Sequence, residues 1–385
     1  MSVSRRRFVG GFAAALGYLG WGPEANLFAQ GRTSSAPAAP ADAYDRMAKL
    51  ARNENNYGPP ESVMKAMNDA WKYSNRYGYP DGNITQEIAK HHGLKPENVL
   101  LGAGSGEILQ VVGSTFLLGG KKVVGVEPTY ATVYQHASGI KSEAIKLPLG
   151  KDYRQDIPAM IKATNDHARE LGFVYLCNPN NPTGIIVTRQ EVKQLLDGIP
   201  KDMPVLIDEA YHHFVNDPNY ATSVPYILEG RPVIIARTFS KIAALAGMRI
   251  GYALATPELV QRMRPYSIGS IRCTSSGVAK DTASQAQVKK LTIETRNKTT
   301  AALTALGYDV LPSEANFFMV SIGRQVEPVI AEFETKGIQV GRPFPPMNTH
   351  LRVSVGVPEE MDRFLKAFKE IFPAKTRTTA AGVNG

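Results

Sequence analysis

The residues with the clearest chemical potential are Thr238, Ser240 and Lys241, which follow an apolar run and precede Arg249. A lysine amine forms Schiff bases with carbonyl compounds when desolvation or a neighbouring charge lowers its pKa. The two hydroxyls and the Arg249 guanidinium are donors suited to a phosphate group. A lone lysine is most often a solvated surface residue, but the S-K…G-x-R spacing favours a lysine beside a bound phosphate.

A glycine-rich turn offers the other half of a phosphate site. The segment Gly102-Ala103-Gly104-Ser105-Gly106-Glu107 follows a short apolar run and precedes a helical pattern. Glycine lets the backbone approach a ligand closely, and the free N–H groups at a helix N-terminus bind phosphate. The turn is not a dinucleotide fingerprint, because the third glycine is missing at its usual spacing. The turn indicates a phosphate site only in combination with the lysine segment.

Three further residues follow apolar runs and could contact a planar ring. Asp208 could pair with a protonated ring nitrogen, although a strand-end cap is an equally good interpretation of this acid alone. Asn181 lies between Pro179 and Pro182, which fix the backbone, and its amide could donate to a ring oxygen. Tyr130 could stack on a planar group, although core packing is the commoner role of a single tyrosine.

Short apolar runs alternate with helical patterns through the middle of the chain. The runs predict strands at 99–101, 122–126, 173–176, 205–207, 233–236 and 250–254, with helical patterns between most of them, including 107–117 and 189–196. Apolar strands separated by helices are typical of a mainly parallel sheet covered on both faces. Ligands bind at the carboxyl ends of such strands, where the residues above lie. We therefore predict an α/β fold with a large ligand-binding domain at 57–265.

The pattern changes after Pro265. A helical pattern at 277–306 leads to short strands around 317–321 and 351–355 and a helix at 361–372, which predicts a smaller α+β domain at 266–373. Residues 30–56 are interpreted as a linker and N-terminal arm, and 374–385 as a flexible tail. The arm is expected to pack beside the small domain or across a subunit boundary.

The N-terminus has the order of an export signal. The twin-arginine pattern Ser4-Arg5-Arg6-Arg7-Phe8 leads into a mildly apolar stretch at 8–21, and Leu27-Phe28-Ala29 offers a cleavage site. That stretch of 14 residues is shorter than a membrane span, which needs about 20. We therefore predict a twin-arginine signal peptide at 1–29, no stable membrane span and a periplasmic location.

Net charge, cysteine content and histidine spacing narrow the classes of partner and ligand that the chain could bind. The formal net charge of +9 is spread along the chain, which favours a solvated basic surface over a nucleic-acid groove. The two cysteines, Cys177 and Cys273, make no disulfide framework. The adjacent pairs His91-His92 and His212-His213 lack metal-ligand spacing, because neighbouring side chains diverge. We expect small-molecule substrates, no metal and no nucleic-acid partner.

Together the strand ends offer a phosphate site, an acid, an aromatic face and a lysine, which predicts a site for pyridoxal 5′-phosphate (PLP). The chain resembles the fold-type I PLP aminotransferases, most closely the histidinol-phosphate aminotransferase group. The resemblance extends from Asn53 to Gly356 and is specific in its order. The motifs are N-E-N, Y-P-D-G, G-x-G-S, P-T-Y, N-P-N-N-P-T-G, D-E-A-Y, T-F-S-K and R-x-G.

The resemblance implies a role for each matching residue. It makes Lys241 the Schiff-base lysine and proton carrier, Asp208 the partner of the ring nitrogen and Tyr130 the stacking residue, and these three form the catalytic set. The implied cofactor contacts are Tyr79, Gly104, Ser105, Gly106, Tyr130, Asn181, Asp208, Tyr211, Thr238, Ser240, Lys241 and Arg249. Tyr79 would be donated across the interface of a homodimer. The implied substrate contacts are Asn55, Tyr57, Asn181 and Arg352, with Arg352 clamping a carboxylate.

Several positions depart from the group's pattern. Gly106 stands where an acid is frequent, Asn56 where proline is frequent and Ile242 where a small residue is usual. None of these removes a catalytic group, but they weaken the case for histidinol phosphate as the substrate. Transamination by a ping-pong mechanism is the favoured reaction. A racemase, decarboxylase or lyase on the same scaffold is the alternative, because substrate-side residues such as Tyr57, Arg342 and Arg352 decide which bond is cleaved. A cofactor-binding regulator without turnover is disfavoured, since a signal peptide and short linker occupy the place of a DNA-binding domain.

Overall fold

The computed structural model describes residues 41–73, 84–268 and 281–374. The chain divides at Asp45 into a short N-terminal unit and a main unit that begins at Arg46. In chain order the described strands are β1 (Ala48–Leu50), β2 (Val99–Gly102), β3 (Lys122–Glu127), β4 (Ala144–Pro148), β5 (Leu171–Cys177), β6 (Val205–Asp208), β7 (Val233–Thr238), β8 (Gly251–Leu254), β9 (Phe317–Ser321), β10 (Ile338–Val340) and β11 (His350–Ser354).

The described α-helices lie between these strands and after them. They are α1 (Ala41–Arg46), α2 (Glu61–Ala70), α3 (Ile84–His91), α4 (Ser105–Leu117), α5 (Thr132–Gly139), α6 (Ile157–Asp166), α7 (Arg189–Gly198), α8 (Val224–Leu228), α9 (Pro257–Met263), α10 (Thr282–Ala305), α11 (Val326–Glu334) and α12 (Pro358–Ile371).

Seven strands form the central sheet in the order β2-β8-β7-β6-β5-β3-β4. All neighbours are parallel except β8, which runs antiparallel to both β2 and β7. Every residue of β6 and β7 is buried, which explains the apolar runs Val205–Ile207 and Val233–Ala236 that begin them. Asp208 at the end of β6 is level with Cys177 of β5 and Ala236 of β7, and Thr238 is level with Gly251 of β8. The polar residues of the predicted site therefore meet at one edge of the sheet.

Helices cover both faces of this sheet. Ile207 and Ile235 belong to the apolar cluster formed with α2, α3, α6, α7 and α8, whereas Leu206 and Ile234 belong to the one formed with α4, α5 and α9. Alternate residues of one strand enter different clusters because successive side chains point to opposite faces. The sheet ends are consequently held rigidly from both sides.

A second group of elements has its own apolar cluster. The strands β9 and β11 pair antiparallel, and the arm strand β1 pairs parallel with β10. Phe318, Phe333, Phe364 and Phe368 are fully buried among the strands and helices α11 and α12. The segment before Pro59 thus joins this C-terminal group, which is one of the two placements expected for the arm.

The α/β fold with a mainly parallel, helix-covered sheet is as predicted, and the structure adds three elements. β4 was not predicted, because the edge sequence AIKLP is only partly buried and has a weak apolar pattern. The strands β1 and β10 are three residues each and pair over a long sequence separation. No helix in the described parts of the chain is long and apolar enough to cross a membrane. The signal at 1–29 and Tyr79 lie outside the described residues, and the limits at 30–56, 57–265, 266–373 and 374–385 stay predictions.

Candidate active site

The phosphate end of the site joins the N-terminus of α4 to the end of β7. The hydroxyl of Thr238 donates to Ser240 Oγ at 2.8 Å and accepts from the Ser240 backbone N–H at 3.0 Å. The Arg249 guanidinium lies 3.5 Å from Ser240 Oγ and donates to the Ala103 carbonyl at 3.2 Å. Arg249 therefore bridges the two segments that the sequence identified separately.

Glycine is required at position 104 by this close approach. Gly104 has a φ of +79°, and a Cβ there would lie 2.3 Å from Arg249 Nη2. Such a φ favours glycine. Arg249 itself adopts a φ of +53°, which is uncommon for a residue with a side chain. The local backbone thus holds the guanidinium against the turn that opens α4.

Lys241 is half-buried at the centre of the site. Its Nζ donates to the Arg52 carbonyl at 3.1 Å and lies 5.7 Å from the centre of the Tyr211 ring. Burial, together with the positive charge of Arg352, lowers the pKa of the Lys241 amine from 10.5 to about 8. About a fifth of such an amine is neutral near physiological pH, far more than for an ordinary lysine, and this fraction can act as a nucleophile or a proton acceptor.

Asp208 is an almost fully buried acid, with 2% of its surface exposed. Burial raises the pKa of its carboxyl from 3.8 to about 7, although the Ala210 N–H, which donates to Oδ1 at 3.1 Å, opposes the rise. A buried carboxylate is stabilised by a cation placed next to it. The residue lines the same cavity as Lys241, so the site favours a ligand that brings a positive charge to this end.

A hydrogen-bonded chain of Asn53, Tyr211, Asn181 and Arg352 forms one wall. The Tyr211 hydroxyl accepts from Asn53 Nδ2 at 3.1 Å and from Asn181 Nδ2 at 3.3 Å. The Asn181 oxygen accepts from Arg352 Nη1 at 2.7 Å. Because each group in the chain is buried, the amide and hydroxyl are fixed in orientation.

The loop that carries Asn181 is itself fixed by its neighbouring asparagines. Asn178 exchanges two hydrogen bonds with the backbone of Val187, at 2.8 and 2.9 Å. Asn180 accepts from the Thr129 hydroxyl at 2.7 Å. These bonds tie the loop to the residue next to Tyr130, so the aromatic and the amide are positioned together.

Arg352 and Arg342 supply positive charge on the substrate side. Arg352 is 7% exposed, and its Nη2 donates to the Ala51 carbonyl at 2.6 Å. Its Nε is buried without a hydrogen-bond partner, and burial lowers the pKa of its guanidinium to about 10. The guanidiniums of both arginines lie over the ring of Phe344, with Cζ 4.3 Å from its centre for Arg342 and 4.5 Å for Arg352.

A cavity of about 360 Å³ brings most of the predicted residues together. Its lining includes these predicted residues: Ser105, Gly106, Tyr130, Asn181, Asp208, Tyr211, Thr238, Ser240, Lys241, Arg249, Arg342 and Arg352. Gly104 lies behind this surface, against Arg249.

Asn55 and Tyr57 do not line the cavity, and their substrate role stays a prediction. Asn55 instead donates to the Ile242 carbonyl at 2.9 Å and accepts from the Tyr57 N–H at 3.1 Å. The arm residues Arg52 and Glu54, together with Phe344, line the cavity and were not predicted. No pattern in the sequence marks Phe344 as a site residue. In the arm, Asn53 has a positive φ, so the chain turns sharply between Arg52 and Glu54.

The residues present fit PLP. The α4 N-terminus, Thr238, Ser240 and Arg249 would hold the phosphate, and Asp208 would pair with the ring nitrogen. Asn181 and Tyr211 would hydrogen-bond the ring oxygen. The buried acid in the cavity wall and the glycine cradle against Arg249 are the observations that support this fit.

The fold and this site define the class of PLP-dependent enzymes of fold type I. The chain belongs to the family "Aminotransferase class I and II", whose model matches residues 45–368. A relative, the histidinol-phosphate aminotransferase of Moorella thermoacetica, is 35% identical over 335 residues, which are 84% of this chain and 85% of that protein. The aromatic amino acid aminotransferase of Thermobifida fusca is 34% identical over 83% of this chain and 89% of that protein.

A solved structure shows the same likeness. The histidinol-phosphate aminotransferase of Sinorhizobium meliloti, in complex with PLP, superposes with a TM-score of 0.78 at 27% identity. The match covers 88% of this chain and 95% of that one. The protein is therefore a PLP-dependent aminotransferase, as its sequence predicted.

The chain's own residues then have defined tasks. When bound, PLP supplies an electron sink for negative charge at the substrate Cα. Lys241, with an amine pKa of about 8, would take up and return the proton at Cα. Asp208 in its ionised form would keep a proton on the ring nitrogen, and Arg352 would orient the substrate through a charged hydrogen bond.

Proposed function

We propose that this aminotransferase acts on substrates with two acidic groups, one bound by Arg352 and the other by Arg342. One observation carries the proposal. Both guanidiniums line the cavity, and among the described residues neither has a carboxylate within ion-pair distance. A buried guanidinium is costly without an anion, which applies to Arg352, and the exposed Arg342 adds a second positive charge to the same cavity that can bind a second anionic group on the ligand.

The geometry divides the two tasks. Arg352 is buried beside Asn181 and points its unpartnered Nε into the interior, which suits the carboxylate next to the reacting carbon. Arg342 is more exposed and donates only to the Pro343 carbonyl, at 2.8 Å, so it can move to meet a side-chain carboxylate or phosphate. Glutamate and 2-oxoglutarate fit this pattern for one half-reaction. A phosphate ester of the kind named for the histidinol-phosphate relatives has no carboxylate, so its single phosphate would have to engage Arg352 and would leave no second anion for Arg342.

An aromatic side chain is the second candidate. Tyr130 and Phe344 line the cavity, and a relative is named an aromatic amino acid aminotransferase. An aromatic donor would pack against Phe344, since Tyr130 is assigned to the cofactor ring, and would leave Arg342 without an anion. The two candidates therefore differ in whether Arg342 contributes to binding.

Single-turnover amino transfer to the bound cofactor separates them. L-Glutamate, L-aspartate, histidinol phosphate, L-phenylalanine and L-alanine are mixed in turn with the holoenzyme, and oxo product is measured together with the cofactor absorption. Arg342→Ala should lower kcat/KM about 10- to 100-fold for substrates with a second anion, because a charged hydrogen bond contributes about 1.5–3 kcal/mol. It should leave L-alanine unchanged.

The matched control is Arg262→Ala. Arg262 is also an exposed arginine over an aromatic ring, 4.6 Å from the centre of Phe116, but it lies outside the cavity. It should behave as the parent with every substrate. Preference for phenylalanine with no effect of Arg342→Ala would replace the proposal with the aromatic candidate.

We further propose a periplasmic homodimer. The twin-arginine pattern at Arg5 and Arg6 supports export, and exposed apolar side chains such as Trp71, at 54%, and Ile268, at 88%, support a subunit contact. Cell fractionation of the parent and of a variant with Arg5→Lys and Arg6→Lys tests export. Sedimentation of the purified protein tests the dimer, which a monomer at all concentrations would exclude.

A further inference from the structure

A charged pair lies directly behind the cofactor site, on the opposite face of the sheet. Arg237 and Thr238 are neighbours on β7, so their side chains point to opposite faces, and it is Thr238 that lines the cavity. Arg237 is only 2% exposed and Glu209 only 1%. Neither residue touches the cavity, and the reaction described above does not use them.

The two side chains are bound closely to each other and to the segment before α8. One Glu209 oxygen, Oε2, accepts from Arg237 Nη2 at 2.6 Å and from Nε at 3.1 Å. The Thr222 hydroxyl donates to that same oxygen at 3.0 Å, and Oε1 accepts from the Ser223 N–H at 2.8 Å. Every oxygen of the buried carboxylate is thus satisfied.

Histidines surround the remaining face of Arg237 without supplying charge. The His92 ring lies 3.2 Å from Arg237 Nη1 and 3.2 Å from the Tyr252 hydroxyl. Burial, and after it the charge of Arg237, lowers the pKa values of His92, His212 and His213, so these rings are neutral. The described residues contain no group of three side chains arranged to hold a metal ion. Glu209 is therefore the single anion that balances Arg237 in the described surroundings.

The pair connects the two strands that carry the cofactor ligands. Glu209 follows Asp208 at the end of β6, and its N–H donates to the Ala236 carbonyl of β7 at 2.9 Å. Arg237 precedes Thr238 on β7. The ion pair hence fixes the end of β6 against the end of β7 from behind.

The net contribution of a buried ion pair to folding stability does not explain why this pair is present. Burying two charges costs about as much as their attraction returns, and apolar residues of similar volume often stabilise equally well. Geometry does give a reason, because two N–H groups of the rigid guanidinium converge on one Glu209 oxygen, which fixes the position of that oxygen relative to Arg237.

We propose that Glu209 and Arg237 are positioning residues that hold Asp208 at a fixed distance from Thr238, and thereby set PLP affinity and the electrostatic environment of the bound ring. A ligand held at both its ring nitrogen and its phosphate is sensitive to that distance, whereas a ligand held at one end is not.

The test compares Glu209→Gln with the parent holoenzyme. The variant keeps the side-chain shape but loses the charge, so the hold on Arg237 weakens. Dialysis equilibrium should give a PLP Kd at least about tenfold higher. The pH midpoint of the cofactor's visible absorption band should also shift from the parent value. Glu332→Gln is the control, because Glu332 pairs with Arg324 on an exposed surface of α11 and should change neither quantity.

Thr222→Val provides a milder variant if Glu209→Gln fails to fold. Thr222 contacts both members of the pair and lies outside the cavity. Its hydroxyl accepts a hydrogen bond from Arg237 Nη2 at 2.5 Å and donates one to Glu209. It should raise the PLP Kd a few-fold and move the absorption midpoint in the same direction. A lower melting temperature with parental PLP Kd and absorption midpoint, in either variant, would show that the pair only stabilises the fold and would overturn the proposal.

Discussion

Replacing Asp208 by asparagine should stabilise the cofactor-free protein, and more strongly at high pH than at low pH. Folding raises the pKa of this buried carboxyl from 3.8 to about 7, because the ionised form is desolvated. An acid whose pKa is raised by folding makes its full contribution to folding stability at pH values below its unfolded-state pKa. That contribution is lost as the pH rises through its folded-state pKa. One pKa unit corresponds to about 1.4 kcal/mol, so a shift of about three units costs about 4 kcal/mol above pH 7. Asparagine has nearly the same shape and stays neutral at every pH.

Urea unfolding of the cofactor-free parent and of Asp208→Asn measures this effect. Between about pH 5.5 and about pH 8.5, the advantage of the variant in unfolding free energy should grow by about 2 kcal/mol as the parent carboxyl ionises. Asp362→Asn is the control, since Asp362 is an exposed acid paired with Lys298, and it should follow the parent. With PLP present the order should reverse, because an amide cannot hold a protonated ring nitrogen. An advantage that stays constant across the pH range would refute the assigned environment of Asp208.

Three further predictions concern the lysine and the phosphate turn. Lys241→Ala should abolish turnover and the visible band of the bound cofactor while the circular dichroism spectrum stays native; sustained turnover would contradict the central role of this amine. In the cofactor-free parent, the rate of condensation with PLP should rise with pH with its midpoint near pH 8, because burial lowers the amine pKa from 10.5 to about 8; a stopped-flow midpoint near 10.5 would contradict this. Gly104→Ala should raise the PLP Kd by about tenfold or more, because its Cβ would lie 2.3 Å from Arg249 Nη2 at a φ of +79°. Gly230→Ala is the matched control, because Gly230 has a similar φ of +74°, its Cβ would meet nothing within 4 Å and it lies outside the cavity, so it should keep the parent PLP Kd.

The cofactor half of the site could be predicted from the sequence because local segments carry it. Thr238, Ser240 and Lys241 lie within four residues at the carboxyl end of β7, and the neighbouring strand β6 ends at Asp208. Because the two strands are parallel, their carboxyl ends bring these residues together. The motif order added the roles of Asn181 and Tyr211, and the structure places both hydrogen-bonding groups in one buried chain.

The substrate half could not be predicted in the same way. Asn55 and Tyr57 were assigned to it by resemblance, yet the cavity is lined instead by their neighbours Arg52 and Glu54. Which arm residue faces inward depends on the turn at Asn53, with its φ of +54°, and on the pairing of β1 with β10 nearly 290 residues later in the chain. Neither the turn at Asn53 nor the pairing of β1 with β10 produces a periodic pattern in the sequence from which it could be predicted.

The sequence by itself determined the α/β sheet, the lysine, the acid and the phosphate turn, since apolar strands and their end residues are encoded locally. Tertiary structure alone decided that two arginines lie over the ring of Phe344 and that Arg237 and Glu209 pair behind the site. The physical reason is that strand ends are set by short-range pattern, whereas side chains from distant segments meet only after the whole core has packed.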